Sequence, residues 1–490
     1  MNKNISSLTK IECTGCRACQ MVCPKDCITM ERDKEGFFYP VVNEKKCVSC
    51  GICLKVCTDD KNRIYNIRES ECYAAYAQNR EDRETGSSGG IFYLLAKEVL
   101  IQKGVVFGAS FNESFGVKHK AVRKIEELLD ICGSKYVQSD IGDCFKQVEQ
   151  ELHKNRLVLF CGTPCQITGL LNYLGGKNDN LICVSLICHG VPSETVWIKF
   201  LSDIECDFDL KEYEINNIRF RKKIGEKQFF EIKTQTMSMT QFYTDIPFMD
   251  GFLKNYYLRP SCYACREKGI HSSADIIIGD FWGIDRIDKE LDNINAVSAC
   301  LLQTKKGKEI FLKIKEIERK QYQYNDIING NSALEKSSFV DEGTRKYFFL
   351  KFFENINSLS ACIKYTDKYD KKQKEKRMST GGKKPNRFKD IKQYKYVLWG
   401  VGRCFDENID KILNQYDISF VCDNNEKNWK KIFNGLRCES PEKLYKIENP
   451  FVIIMVKDAF FGFQIANQLL DMGISNFDLF GNWITYSGII

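Results

Sequence analysis

The sequence predicts a multidomain chain of α+β and α/β parts: a small cysteine-rich fold, a mixed α/β body, and a C-terminal Rossmann-like parallel sheet. Three observations predict it. Two runs of four cysteines stand near the N-terminus, strand and helix patterns alternate from Cys72 onward, and a glycine turn joins strand to helix at Gly400 and Gly402.

The cysteine runs come first. CTGCRACQMVC places Cys13, Cys16, Cys19 and Cys23; CVSCGICLKVC places Cys47, Cys50, Cys53 and Cys57. Each reads C-x2-C-x2-C-x3-C, the spacing of two-cluster ferredoxins, in which the fourth thiolate of each run crosses to the other 4Fe–4S cluster. One cluster is therefore expected on Cys13, Cys16, Cys19 and Cys57, the second on Cys47, Cys50, Cys53 and Cys23. Zinc ribbons use paired CxxC with long spacers, which these runs are not. Thr58 stands where a proline follows the first run at Pro24, and Cys27 lies outside the pattern as a packed thiol. GFFYPVV, between the runs, reads as a short strand with its turn.

Composition bounds the rest. The 490 residues carry a net charge of +7, but residues 364–389 alone hold eleven basic and three acidic side chains. The remainder is near neutral, which gives no electrostatic case for nucleic acid. No N-terminal apolar segment and no long apolar run are present, so the sequence reads as a cytoplasmic protein with no membrane span. Twenty-four cysteines without a secretion signal point to metal ligands and buried thiols rather than disulfides.

In the body, TGSSGGIFYLLAKEVLIQKGVVFGASF offers a small-residue loop at 86–90, a helix ending near Gly104, and a strand at 105–111. Such a loop exposes backbone N–H groups to an anion, or is simply a tight turn. LVLF and LICVSLI read as strands leading into GTPCQ and ICHG. CYACRE supplies an isolated CxxC pair, Cys262 and Cys265. RFRKK at 219–223 reads equally as a solvated face or as a contact for an anionic substrate.

The ordered series SSGGIF, GSKYVQS, LFCGTPCQITGL, LICHGVPS, CYACRE and DIIIGDFWGI resembles the coenzyme F420 hydrogenase/dehydrogenase β-subunit family over roughly residues 70–360. The resemblance implies a flavoprotein with FAD and a further 4Fe–4S cluster beside the flavin. It implies Cys165, Cys188, Cys262 and Cys265 as that cluster's ligands, with Cys161 the rival within its own segment. It implies flavin contacts from Ser87, Ser88, Gly89, Gly90, Lys135 and Tyr136, and cavity-lining roles for Asp280 and Trp282. His189 and Lys135 are the expected catalytic side chains. The expected domains are residues 1–66 (ferredoxin type), 67–362 (flavin and cluster binding), 363–393 (basic linker) and 394–490 (Rossmann-like).

At the C-terminal end, Asp423 follows Gly402 at the distance that suits a ribose hydroxyl, but Phe405 occupies the third glycine position, so no dinucleotide fingerprint is present. This segment resembles modules attached to sugar-modifying enzymes. The function expected is an oxidoreductase passing electrons from a ferredoxin-like or other low-potential donor through clusters to FAD and an organic or sugar-linked acceptor. Use of coenzyme F420, service as a non-catalytic electron-transfer subunit, and a working site in the C-terminal module are the alternatives.

Overall fold

The computed structural model describes residues 4–57, 69–207, 215–224, 227–235, 237–291, 296–354, 358–380, 395–414, 416–456, 465, 468–469, 472–474 and 477–479. The chain forms two compact units, Met1–Gln373 and Lys374–Ile490.

The first unit begins with a hairpin, β1 (Ile28–Arg32) against β2 (Phe38–Val42), from the segment read as strand and turn. Short helices Ala18–Met21 and Ile52–Val56 carry the two cysteine runs. Each starts after a left-handed residue, Arg17 (φ 64°) or Gly51 (φ 74°).

The body is built on one eight-stranded sheet. Its strands are β3 (Glu71–Ala77), β4 (Val105–Phe111), β5 (Val117–Val122), β6 (Val158–Gly162) and β7 (Leu181–Leu186). An excursion then forms a separate antiparallel sheet of β8 (Asn217–Ile224), β9 (Lys227–Lys233) and β10 (Ser238–Phe242). The chain returns to the large sheet as β11 (Ile276–Asp280), β12 (Ser298–Leu302) and β13 (Ile317–Tyr322). The large sheet's order is β13-β3-β12-β11-β7-β6-β4-β5; β11, β7, β6 and β4 run parallel, and the other pairs are antiparallel. The parallel strands read VLFCG, LICVSL and IIIGD because a strand covered on both faces is apolar on both.

Helices Ile91–Ile101 and Lys305–Lys313 pack on one face of this sheet. Helices Cys144–His153 and Pro164–Tyr173 cover the other and share a core with Cys16, Ala18, Cys19 and Val56 of the N-terminal module. The ferredoxin-type module is thus docked on the body. Arg17 pairs with Asp140, and a bidentate pair joins Arg345 to Glu35 at 2.6 and 3.2 Å. A third core, around Trp197, Phe220, Phe230, Phe248 and Tyr257, supports the small sheet.

The expected linker needs correction at its start. Leu359–Thr380 is one helix, and Leu359, Cys362, Ile363 and Thr366 bury a stripe at helical spacing. Asp367, inside the run read as solvated, accepts hydrogen bonds from Tyr256 (2.7 Å) and Lys254 (2.9 Å). The basic residues concealed the stripe because they share the helix with it. Residues 381–393 of the linker lie outside the described residues.

The second unit carries β14 (Lys395–Trp399), β15 (Ile418–Cys422), β16 (Ile432–Phe433), β17 (Leu436–Glu439), β18 (Pro450–Ile454) and β19 (Phe477–Leu479), ordered β16-β17-β15-β14-β18-β19. All neighbours but β16 and β17 are parallel. The Rossmann-like expectation is met in outline. Asp423, however, spends both carboxylate oxygens on its own loops, accepting from Val401 N–H (3.0 Å) and Asn425 N–H (2.7 Å). It ties two strand ends together there. Among the described residues, no helix is long and apolar enough to cross a membrane.

Candidate functional site

The C-terminal ends of β4, β6, β7 and β11 open into a cavity of about 520 Å³, where an open parallel sheet places its ligands. Its wall takes Ser87 and Ser88 from the loop before helix Ile91–Ile101, and Lys135 and Tyr136 from the segment after residue 133. Cys188 and His189 come from the end of β7, and Asp280 and Trp282 from the end of β11. Segments spread over about two hundred positions therefore meet at one cavity.

The glycine loop works partly otherwise than expected. Gly90 adopts φ +81° and lines the cavity; Gly89 is not among the lining residues. A Cβ on Gly89 would lie 2.4 Å from the Ala75 carbonyl oxygen, so this glycine exists to press the loop onto β3. The Ser88 hydroxyl donates to the Val297 carbonyl at 3.2 Å, and Ser87 Oγ accepts from Ser134 N–H. Both serines fix the loop. What the loop presents to the cavity is the N-terminus of an eleven-residue helix that no side chain caps.

Lys135 donates to the carbonyls of Cys132 (2.8 Å) and Gly133 (3.3 Å), and burial lowers its pKa to about 8. His189 is held by Asn255, with Nε2 2.6 Å from Oδ1, and its ring meets Phe252 edge-on. Burial pushes its pKa down, so the imidazole is neutral near pH 7.

Sequence reasoning undervalued RFRKK. Arg221 is buried; its Nη1 donates to Asp280 Oδ2 at 2.6 Å, while its Nη2 is buried with no partner. The guanidinium lies near Trp282 and Tyr243, 5.8 and 5.7 Å from their ring centres. Lys223 donates to Ser88 O (2.6 Å) and Arg83 O (3.0 Å), and burial lowers its pKa to about 8. The register of β8 shifts between Arg219 and Lys222, so Phe220 and Arg221 are both buried and strand alternation in the sequence does not single out Arg221.

His119 was also missed. Its Nδ1 lies 2.7 Å from Ser139 Oγ and its Nε2 2.9 Å from the Cys161 carbonyl oxygen, to which Nε2 must donate. Burial lowers its pKa to about 4, against an ordinary value near 6.5. The folded pKa lies below the unfolded one, so the unfolded chain binds more protons between these values, and stability falls as pH drops from about 6.5 toward 4. At pH 5 this group should cost about 2 kcal/mol relative to pH 7. Denaturant midpoints of the parent and His119→Gln at both pH values check this; equal pH losses in the two would contradict it.

Cys165, Cys188, Cys262 and Cys265 come together, and Cys188 among them lines the cavity. Cys165 lies at the start of helix Pro164–Tyr173, its Sγ 3.2 Å from Thr163 Oγ1; Val191 N–H donates to Cys262 Sγ at 3.4 Å. Burial raises the pKa of all four thiols, to about 11 for Cys188, Cys262 and Cys265. Mutual repulsion adds to it: Cys165 feels each of the other three. Such a set favours its thiolate form only when a cationic centre compensates the charge. Among the described residues, no three His, Cys, Asp or Glu side chains close around a point suited to a single ion. A cube with iron at four corners needs a wider set of thiolates than zinc does. Cys161 also lines the cavity but is not one of the four neighbouring thiols.

In the N-terminal module, Cys19 lies beside Cys13, Cys16 and Cys57, the expected first set, and within reach of Cys53 as well. Cys23, Cys47, Cys50 and Cys53 line a separate hollow, the expected second set. Cys27 is there too, its Sγ 3.4 Å from that of Cys23, so it faces the second set instead of packing elsewhere.

The first set reaches the body through Cys16, among other contacts. A Cβ on Gly169 would lie 2.8 Å from Cys16 Cβ and 2.9 Å from its Sγ. Gly169 is one helical turn beyond Cys165, about 6 Å along the axis. Gly169→Ala is expected to destabilise the protein by about 1–3 kcal/mol and to change the visible circular dichroism of the loaded clusters. An unchanged spectrum would contradict this close packing.

A dicluster module docked on an α/β body, with its cysteines against the body's core, defines an iron–sulfur electron-transfer protein. Residues 12–61 match the 4Fe-4S dicluster domain, and residues 155–327 match the family described as the C terminus of the coenzyme F420 hydrogenase/dehydrogenase beta subunit. Residues 392–479 match C2185-like, N-terminal. The chain is 21% identical over 333 residues to the F subunit of the F(420)H(2) dehydrogenase from Methanosarcina mazei, spanning 63% of this chain and 89% of that protein. A chain of the F420-reducing NiFe hydrogenase complex from Methanosarcina barkeri is 16% identical, with TM-score 0.37, covering 60% of this chain and 95% of that one.

Proposed function

We propose that this protein passes electrons from a low-potential donor through the two N-terminal clusters to a third cluster on Cys165, Cys188, Cys262 and Cys265, and from there to FAD. The single observation that carries this reading is the meeting of those four thiols, of which Cys188 lines the cavity and Cys165 lies one helical turn from the glycine that touches Cys16.

The residues fit the groups. Four buried, mutually repelling thiols suit a cluster, and the uncapped helix start, the orphaned Arg221 Nη2, Lys135 and Lys223 suit a diphosphate. When bound, the clusters supply single-electron transfer and the flavin joins single electrons to two-electron chemistry. Cys188 would ligate the cluster while its neighbour His189, held by Asn255, meets the flavin or acceptor as a neutral imidazole. The apolar wall, including Phe252 and Tyr136, excludes water.

The relatives' names favour coenzyme F420, in its oxidised form when electrons arrive from the clusters, as the second partner of the flavin, and a complex with partner subunits as its setting. The C-terminal module, similar to those of sugar-modifying enzymes, makes a sugar-linked acceptor the other class to test. Anaerobically purified protein with its flavin quantified is mixed with coenzyme F420, and the deazaflavin absorbance is followed. Bleaching by the reduced protein supports the F420 reading. Dye reduction without any small-molecule turnover supports a purely electron-transferring role. Absence of bound flavin after reconstitution sinks the proposal.

A further inference from the structure

We infer that Arg259 is the counter-cation of the cluster on Cys13, Cys16, Cys19 and Cys57, raising that cluster's potential from within the segment that also supplies Cys262 and Cys265. The inference rests on the first ligand set and needs neither the third cluster nor the flavin.

Arg259 is 1% exposed, and a guanidinium so buried requires a partner that answers its charge. Its hydrogen-bond acceptors are neutral groups. Nε donates to Cys13 O (2.8 Å), Nη1 to Gln138 Oε1 (3.0 Å), and Nη2 to Phe38 O (2.8 Å). The rings of Tyr39 and Phe37 lie 4.5 and 5.5 Å from the guanidinium carbon to the ring centres, and its charge also reaches Cys262. Among the described residues, no carboxylate is within ion-pair distance of it. The last contact is Nη2 to Cys13 Sγ at 3.6 Å. With Cys13 a thiol, the cation would be buried without an anion. With Cys13 a cluster ligand, the missing negative charge stands where the guanidinium points.

The local backbone is shaped for this approach. Gly15 adopts φ +74°, and a Cβ there would lie 2.7 Å from Arg259 Nη1. The backbone of Arg259 is in turn fixed by its N–H donating to Val191 O at 2.9 Å, and Val191 N–H donates to Cys262 Sγ. Donors and positive charge at a cluster's sulfurs stabilise its reduced form, because reduction adds negative charge there. Arg259 therefore raises the potential of the first set above what it would be without that charge, and it does so on the side facing the body.

The test is an anaerobic redox titration of the full chain followed by electron paramagnetic resonance, comparing the parent with Arg259→Gln and Arg259→Lys. In Arg259→Gln, the reduced-to-oxidised ratio of one N-terminal cluster at a fixed poise should fall at least tenfold, equivalent to about 59 mV for one electron. The other N-terminal cluster should stay within twofold of the parent. Arg259→Lys, which keeps the charge, should stay within threefold at both. An intact cluster with an unchanged ratio in Arg259→Gln, or an equal shift of both clusters, overturns the assignment. If Arg259→Gln fails to hold the cluster, Arg259→Lys decides. A retained cluster at the parent's poise supports the charge role; loss in both variants overturns it in favour of packing. These readings follow the N-terminal clusters whether or not flavin binds, so failure here is separable from failure of the proposed electron path.

Discussion

Cys262→Ser is expected to spare both N-terminal clusters and to stop their electrons from reaching the flavin. Iron per chain after anaerobic reconstitution should fall from about twelve to about eight at most, as one cube of three is lost. Cys262 accepts from Val191 N–H and faces Gly190, whose hypothetical Cβ would lie 3.6 Å from its sulfur. Gly190 has φ +156°, and together these place the CxxC turn against the strand end that delivers Cys188. A serine hydroxyl keeps the turn but not the thiolate. The check is rapid mixing with a low-potential donor while flavin absorbance and the N-terminal cluster signals are followed separately. Flavin reduction at the parent's rate would contradict the ligand assignment.

Arg221→Gln has the second-largest expected effect, because it strands a carboxylate. Arg221 is almost wholly buried, and Asp280, which faces the cavity, forms an ion pair with it and with no other described residue. Breaking a buried pair from one side costs about 3–5 kcal/mol, and the partial exposure of Asp280 puts this case near 3. The same change removes the orphaned Nη2, so FAD should be retained at least tenfold less tightly, about 1.4 kcal/mol. Removing both charges, in Arg221→Met with Asp280→Leu, should recover most of the stability but not the flavin. Denaturant midpoints and flavin content measure both effects. Flavin retained in the double variant would show that the guanidinium does not serve the diphosphate.

Much of this was legible in the sequence because its signals are local. Cysteine spacing reported the two N-terminal sets, apolar runs ending in GTPCQ and ICHG reported parallel strands, and a glycine turn reported the second unit's sheet. What was hidden depends on distant contacts. Arg259 and Cys13 are 246 positions apart, and nothing in CYACRE or CTGC announces their meeting. Arg221 sits in a run whose composition argues for solvent, yet the strand turns that one side chain into a cavity. Gly89 looked like a ligand-facing glycine because proximity to a helix start is visible in sequence, whereas the pressure of β3 behind it is not. Helix Leu359–Thr380 was masked by its own lysines, since a narrow buried stripe needs few apolar residues once it has a body to lie on.

The central claim is that Cys165, Cys188, Cys262 and Cys265 hold a third cluster at the edge of the flavin cavity. Iron-edge anomalous diffraction from anaerobically grown crystals tests it most directly. The expected result is three compact iron peaks, two in the N-terminal module and one bounded by those four sulfurs. Two peaks only, with the four sulfurs bare in a protein whose N-terminal clusters are full, would contradict it.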